Sequence, residues 1–251
     1  MVRLSDLPTE MLVRIFTLIP LPDLIRGISP LCRRFRDICH LPFLWRHFKY
    51  DLFYNKSKFD HIFEHAEYFH SLQFTYDMGK LKIEMTTGYI EEGLSRCTQL
   101  QELDISYNRS IRNLNFILKM PKLEIFNMEY CCNVDPVSAV TALKTMQKPR
   151  RVILSLCEQF SEDQLCELFL SSSSYEHIDV EKCSCLSVKS VRSILKANPN
   201  IKSLMFSPSW GPPPRWVKLI GQYPHVSFST DLDLMFERCM YPEWLLPGED
   251  F

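Results

Sequence analysis

The feature that most constrains the fold is an apolar template, L-x-x-L-x-L-x-x-N/C, that recurs down the chain. It reads "LQELDISYN" from Leu100, with Leu103, Ile105 and Asn108 in the later slots, and "LEIFNMEYC" from Leu123, with Phe126, Met128 and Cys131. It returns as "YEHIDVEKC" from Tyr175, with Ile178, Val180 and Cys183, and as "IKSLMFSPS" from Ile201, with Leu204, Phe206 and Ser209. Weaker copies start at Phe69, Arg151 and Tyr223, which sets the anchors 31, 23, 28, 24, 26 and 22 residues apart, about 26 on average. A unit of that length cannot bury its apolar face alone, but neighbours stacked in series can. Helix starts fall between the anchors: Asp135-Pro136 before "VSAVTALKTM", a capping box from Ser161 to Gln164 before "LCELFL", and Ser187 before "VKSVRSILKAN". Strand then helix, repeated, predicts an α/β solenoid with a curved parallel sheet.

The first fifty residues follow a different rule. In "LSDLPTEMLVRIFTLIPLPDL", Pro8 suits the first helical position, where a missing N–H costs nothing. Met11, Leu12, Ile15, Phe16, Leu18 and Ile19 then follow at helical spacings, an apolar arc wide for a surface helix. Pro22, Pro30 and Pro42 each precede another short helical stretch, and "GISP", Gly27 to Pro30, predicts a helix break. Four short helices bury too little surface to be stable alone, so part of this apolar arc needs cover from elsewhere.

Composition narrows the function class. With 46% hydrophobic residues and a formal charge of -1 the chain is globular, and its whole-molecule field offers no drive toward nucleic acid. It has no apolar run long enough to span a bilayer, and Asp6, Glu10 and Arg14 interrupt the opening, so neither a membrane partner nor a signal peptide is expected. The expected location is cytoplasmic or nuclear, and the ten cysteines are expected to be reduced. Charge is uneven along the chain: residues 1 to 50 hold 8 Lys/Arg against 4 Asp/Glu, and residues 231 to 251 hold 1 against 6.

Taken together, Leu7-Pro8, Leu12, Ile15, Phe16, Leu21, Asp23-Leu24, Leu31-Cys32-Arg33-Arg34-Phe35 and Leu44-Trp45 resemble the F-box, and the repeats resemble leucine-rich repeats. The whole chain is similar to the F-box/leucine-rich-repeat class. That resemblance implies a small helical F-box over 1–50, a linker helix over 51–68 and about six to seven degenerate repeats over 69–232. The acidic, aromatic tail over 233–251 holds Trp244, Leu245 and Phe251, too apolar for a purely solvating tail, and is expected to fold against the array as a cap. It implies a non-catalytic substrate-recognition subunit of an SCF ubiquitin ligase, with partners in a Skp-type adaptor and, through it, a cullin and a RING subunit. It also implies adaptor contact or F-box core for Leu7, Pro8, Leu12, Ile15, Phe16, Leu21, Leu24, Leu31 and Cys32, with Trp45 anchoring the last helix. A non-degradative scaffold built from the same modules is the alternative.

Side chains alternate faces along a strand. The face away from the core therefore carries Glu102, Asp104, Ser106, Asn127, Glu129, His177, Asp179, Glu181, Ser203 and Met205. This acidic-leaning surface fits a substrate-binding wall and an ordinary solvated sheet face equally well. "HIFEH", residues 61–65, matches the H-x-x-E-H string of inverted zinc proteases, but lacks a downstream acidic-ligand motif and reads as linker helix. Cys131-Cys132 and Cys183-Ser-Cys185 lack C-x-x-C spacing, and Cys131 and Cys183 fill the N/C slot of the template. The basic cluster Arg33, Arg34, Arg36, Arg46 and Lys49 lacks a nucleic-acid motif and reads as a solvated face or protein contact. "PSWGPPPRW" reads as a stiff loop leading into a helix, with Trp216 packed inward. No phosphate-binding glycine loop or nucleophile–base pair is present, so no metal, cofactor or catalytic residue is expected.

Overall fold

The computed structural model describes residues 3–51, 63–75, 87–208 and 213–228. Their centre is one parallel sheet of eight strands in strict sequence order. The strands are β1 (His47–Asp51), β2 (Ser71–Thr75), β3 (Glu102–Asp104), β4 (Ile125–Asn127), β5 (Arg151–Ile153), β6 (His177–Val180), β7 (Ser203–Phe206) and β8 (Ser227–Phe228). Helices α4 (Thr87–Ser95), α5 (Pro136–Leu143), α6 (Glu162–Phe169), α7 (Val188–Ala197) and α8 (Pro213–Gly221) fill all but one of the later crossovers. The crossover from β3 to β4 holds only a 3-10 turn, Asn115–Lys119. Strands pack about 4.8 Å apart and helices about 8–10 Å apart, so the array curves with its sheet on the inside.

The three expected helix caps are present. Asp135 accepts from the Ser138 N–H, Ser161 and Gln164 form a reciprocal capping box, and Ser187 accepts from the Ser190 N–H. Trp216 is fully buried, 5.4 Å from the Phe206 ring.

The repeat register differs from the sequence pattern in two places. Ile125 pairs with Arg151 and Arg151 with His177, so Arg151 is an outward strand residue and not an anchor. The anchor slot two residues earlier belongs to Pro149, which is buried. The Leu204–Phe228 pairing moves the last anchor from Tyr223 to His225 in the same way.

The array also begins earlier than residue 69. Strand β1 follows directly on Trp45–Arg46, and the Arg46 carbonyl accepts from the N–H groups of His70 and Ser71. The His70 carbonyl does the same for Gln101 and Glu102, and the pattern repeats to Lys202. Trp45 is therefore the anchor of the first repeat as well as the last core residue of the helical head.

The head itself comprises α1 (Thr9–Phe16), α2 (Leu21–Asp23), a π-helical turn Leu24–Ile28, α3 (Arg33–Cys39) and a 3-10 turn Pro42–Trp45. Pro8 lies one residue before α1, as its N-cap, because its ψ of 150° is extended. The break expected at "GISP" takes the form of the π-turn, closed by Ser29 N–H on the Leu24 carbonyl, followed by a bend at Ser29. Of the linker helix expected over 51–68, the described part holds a 3-10 turn, Ala66–Tyr68, behind buried Phe63. His61 of the "HIFEH" string and the tail over 233–251 lie outside the described residues.

Candidate functional site: an apolar head and a polar sheet face

Two surfaces stand out, one on each side of Trp45. In the head, Leu12 and Phe16 from α1 turn inward with Leu21, Leu24, Phe35 and Trp45, and all are buried. Phe16 and Phe35 meet edge to face at 5.5 Å, and the Trp45 indole N–H donates to the Cys39 carbonyl at 2.9 Å. These side chains form the core that holds four short segments together.

That burial divides the residues expected at the adaptor contact. Leu12, Phe16, Leu21, Leu24 and Trp45 are core, Phe16, Leu21 and Leu24 being reached only at the lining of a neighbouring groove. Leu7, Ile15 and Cys32 are half-buried, and Pro8 and Leu31 are exposed. Cys32 is held by its own helix, accepting the Phe35 N–H at the start of α3. Outside the positions matched to the F-box, Leu4 and Met11 are about half exposed and Leu18 is 84% exposed, Met11 and Leu18 being members of the opening apolar arc; Leu31 is 68% exposed. Met11 lies on α1 and Leu18 in the turn two residues beyond its end, while Leu12 beside Met11 is buried. Next to Leu18 lies a groove of about 490 Å³ lined by Phe16, Leu21, Leu24, Phe43 and Leu44. Arg34 of the basic cluster is structural: its guanidinium donates to the carbonyls of Ser5 and Leu7 and ties α3 to the chain's entry into α1.

Beyond the head, the turn leaving each strand is built alike from repeat to repeat. Asp104, Asn127 and Asp179 each accept, through Oδ1, the backbone N–H two residues on, at Ser106, Glu129 and Glu181. The next residue in four successive repeats is left-handed: Tyr107, Tyr130, Leu156 and Lys182, with φ of 61°, 56°, 61° and 54°. The residue after that fills the N/C slot. There the thiols of Cys131, Cys157 and Cys183 donate to the carbonyls of Ile105, Met128 and Leu154 in the preceding repeat. A cysteine in this slot is thus a short donor joining one repeat to the last. Burial pushes the Cys157 and Cys183 thiols up to about 12. Among the described residues no group of His, Cys, Asp and Glu is arranged to hold a metal ion, and no helix is long and apolar enough to cross a membrane.

Of the ten residues read as the outward sheet face, nine are partly or fully exposed. Ser106 is 5% exposed and belongs to the turn, so it leaves that surface. Glu102 accepts from the Ser71 hydroxyl, and His177 Nδ1 lies 2.8 Å from Ser203 Oγ. Burial, with Arg151 and Lys202 nearby, lowers the His177 pKa. Met205 is half-exposed. Glu129 accepts from the Tyr107 hydroxyl at 2.7 Å, and the Arg109 guanidinium lies 4.9 Å over the Tyr130 ring while donating to its hydroxyl at 2.6 Å. Burial first, then Glu129, raises the Asp179 pKa against the Glu181 N–H that lowers it.

One row further out, at the strand entrances, Glu124, Arg150, Glu176 and Lys202 alternate in sign. Glu176 is bridged by Arg150 at 2.8 Å and by Lys202 at 2.5 Å, which holds its carboxyl down at about 2.

Comparison with known families decides the head: residues 4–50 match the F-box-like family model. The chain joins an F-box-like domain to a leucine-rich-repeat array. It is 24% identical over 179 residues to F-box/LRR-repeat protein 21 of Bos taurus, a match covering 63% of this chain and 41% of that protein. The Ovis aries protein of the same name is 23% identical over the same share. The match therefore spans about two fifths of the length of these curated relatives. The F-box-like domain ends in the same stretch that β1 opens, so the F-box and the repeats share residues.

Proposed function

We propose that this chain is the substrate-recognition subunit of an SCF-type E3 ubiquitin ligase, working in the cytosol or nucleus. The observation that carries the reading is the F-box-like head with Met11, Leu18 and Leu31 standing in solvent around a completed core. Apolar side chains so exposed are unusual on a domain this small unless a partner covers them. In this reading the F-box docks on a Skp-type adaptor, which brings the cullin and RING subunits, and the inner face of the repeats holds a protein substrate. The subunit does no chemistry. It raises the effective concentration of substrate lysines near a ubiquitin-charged conjugating enzyme.

Recovery of the tagged chain from cells tests this. Adaptor and cullin should come with the wild type and be lost from Leu18→Glu/Leu31→Glu, whose circular dichroism melt should stay near that of the wild type. Wild-type chain that brings down neither adaptor nor cullin would overturn the reading.

A further inference from the structure

The inner sheet face leans acidic. Its inner row runs Gln73, Asp104, Asn127, Ile153, Asp179 and Met205 along successive repeats, and Glu129 and Glu181 follow in the turns beyond it, where Ser106 and Ser155 are buried. Among these positions are four carboxylates, Asp104, Glu129, Asp179 and Glu181; Arg151 shares the face in the row that pairs it with His177, and Lys49 takes the strand position paired with Gln73, so acids outnumber cations there. The strand-entrance row differs: Glu124, Arg150, Glu176 and Lys202 neutralise one another there.

At the exit rim the carboxylates adjoin two tyrosines. Tyr107 and Tyr130 occupy equivalent left-handed positions, with ring centroids 5.7 Å apart. Glu129 lies between them in the rim, and the Arg109 guanidinium already covers one side of Tyr130. A tyrosine ring beside a carboxylate is chemistry that suits a planar cation, because the ring face and the carboxylate attract the same guanidinium. The internal Arg109–Tyr130 pair shows that geometry within the chain itself.

We infer that the inner sheet face, from the Tyr107–Tyr130 rim across Glu129 and Asp179, docks an arginine-bearing cationic segment of a protein partner. This rests on the reading of the repeats as the partner-binding module and gives that partner its chemistry. Charge argues against the chain's own C-terminal stretch as occupant, since residues 231–251 carry 1 Lys/Arg against 6 Asp/Glu and would be repelled. Glu129 and Asp179 lie two repeats apart on either side of β5; burial, and after it the repulsion between them, pushes the Asp179 carboxyl up, and a cation brought over that strand relieves the repulsion.

The test uses the full chain and fluorescein-labelled peptides of alternating glycine with arginine, lysine or glutamate, read by anisotropy. The arginine peptide should bind saturably, more tightly than the lysine peptide, and weaken as salt rises from about 0.05 M to about 0.3 M, while the glutamate peptide should not bind. Glu129→Gln/Asp179→Asn should weaken the arginine peptide by about tenfold or more. Asn at 179 keeps the turn, as Asn127 does one face position away, and an unchanged melting temperature confirms it. Tyr107→Ala/Tyr130→Ala should cost the arginine peptide more than the lysine peptide. Equal loss from Asp163→Asn/Glu167→Gln on the helical face, or no loss from the inner-face variants, overturns the inference. Adaptor recovery measured on the same proteins separates the two proposals: recovered adaptor without peptide binding removes only this one, and peptide binding without adaptor removes only the ligase reading.

Discussion

The indole of Trp45 and the ring of Phe69 lie near-parallel with centroids 6.3 Å apart, in the same slot of consecutive repeats. Between them in sequence, His65 stacks on Trp45 at 3.9 Å, and its Nε2 lies 3.0 Å from Nδ1 of His40 at the end of α3. One tryptophan therefore closes the F-box core and opens the repeat core. Trp45→Ala should destabilise the whole chain by about 3–5 kcal/mol, the usual cost of emptying a large buried site. Urea unfolding followed by circular dichroism and by tryptophan fluorescence should show one shared transition shifted to lower urea. A variant in which the two signals separate, with the repeats melting as in the wild type, would contradict the shared core.

Burial separates residues that the sequence pattern groups together. Leu12→Ala should cost about 2–5 kcal/mol, whereas Leu31→Ala should stay within about 0.5 kcal/mol of wild type, because only the first leaves a cavity. Chemical denaturation of the two variants checks the contrast; equal losses would mean that Leu31 is covered by the chain itself.

The cysteines should sort by reactivity. Cys132 and Cys185 are exposed, whereas Cys131, Cys157 and Cys183 donate to backbone carbonyls at the repeat junctions. Site-resolved mass spectrometry after brief iodoacetamide treatment should find the first two modified ahead of the three junction thiols. The folded-state pKa of Cys157 and Cys183 is raised from 9.0 to about 12, so the neutral thiol is favoured by folding. Their contribution is fully present below pH 9 and is lost as pH rises toward 12. Cys157→Ala/Cys183→Ala should flatten that alkaline decline.

Glu176 sets the acid side. Its carboxyl is held at about 2 against an ordinary 4.5, first by Arg150 and then by Lys202. The folded pKa is depressed, so the stabilisation is present above pH 4.5 and disappears as pH falls to about 2. Glu176→Gln should melt below wild type at pH 7, the gap closing toward pH 2 and shrinking in high salt. A gap independent of pH would assign the effect to packing.

The left-handed column offers a gain. Lys182, at φ 54°, has an exposed side chain, and its N–H bonds to Ser207 Oγ. Asparagine tolerates that backbone better than lysine, so Lys182→Asn should stabilise by about 0.5–1 kcal/mol. A thermal melt checks it.

The repeat architecture was legible because its slots are filled by apolar residues at a near-constant spacing, and the caps at Asp135, Ser161 and Ser187 because capping chemistry is local. The slip at Arg151 has a physical origin: Pro149 satisfies the anchor slot by burial but does not look like a leucine, and two arginines follow it. The first repeat was hidden because Trp45 meets the demands of two motifs at once. Core and contact residues of the F-box share one periodicity, so Leu12 and Met11 differ only in which side of α1 the fold covers. Asp104, Asn127 and Asp179 looked like binding residues alone; their bonds to the N–H two residues on show that the turn requires them as well.

The overlap at Trp45–Arg46 removes the swivel that two domains joined by a tether would have. The strand leaving the F-box is hydrogen-bonded into the sheet from its first residue, so the head cannot rotate about its connection without unpairing β1 from β2. Whatever sits on the inner face is thereby presented at one fixed bearing to whatever holds the head. On the proposed reading, reach is then set by the partner, because the described residues between head and sheet form no tether.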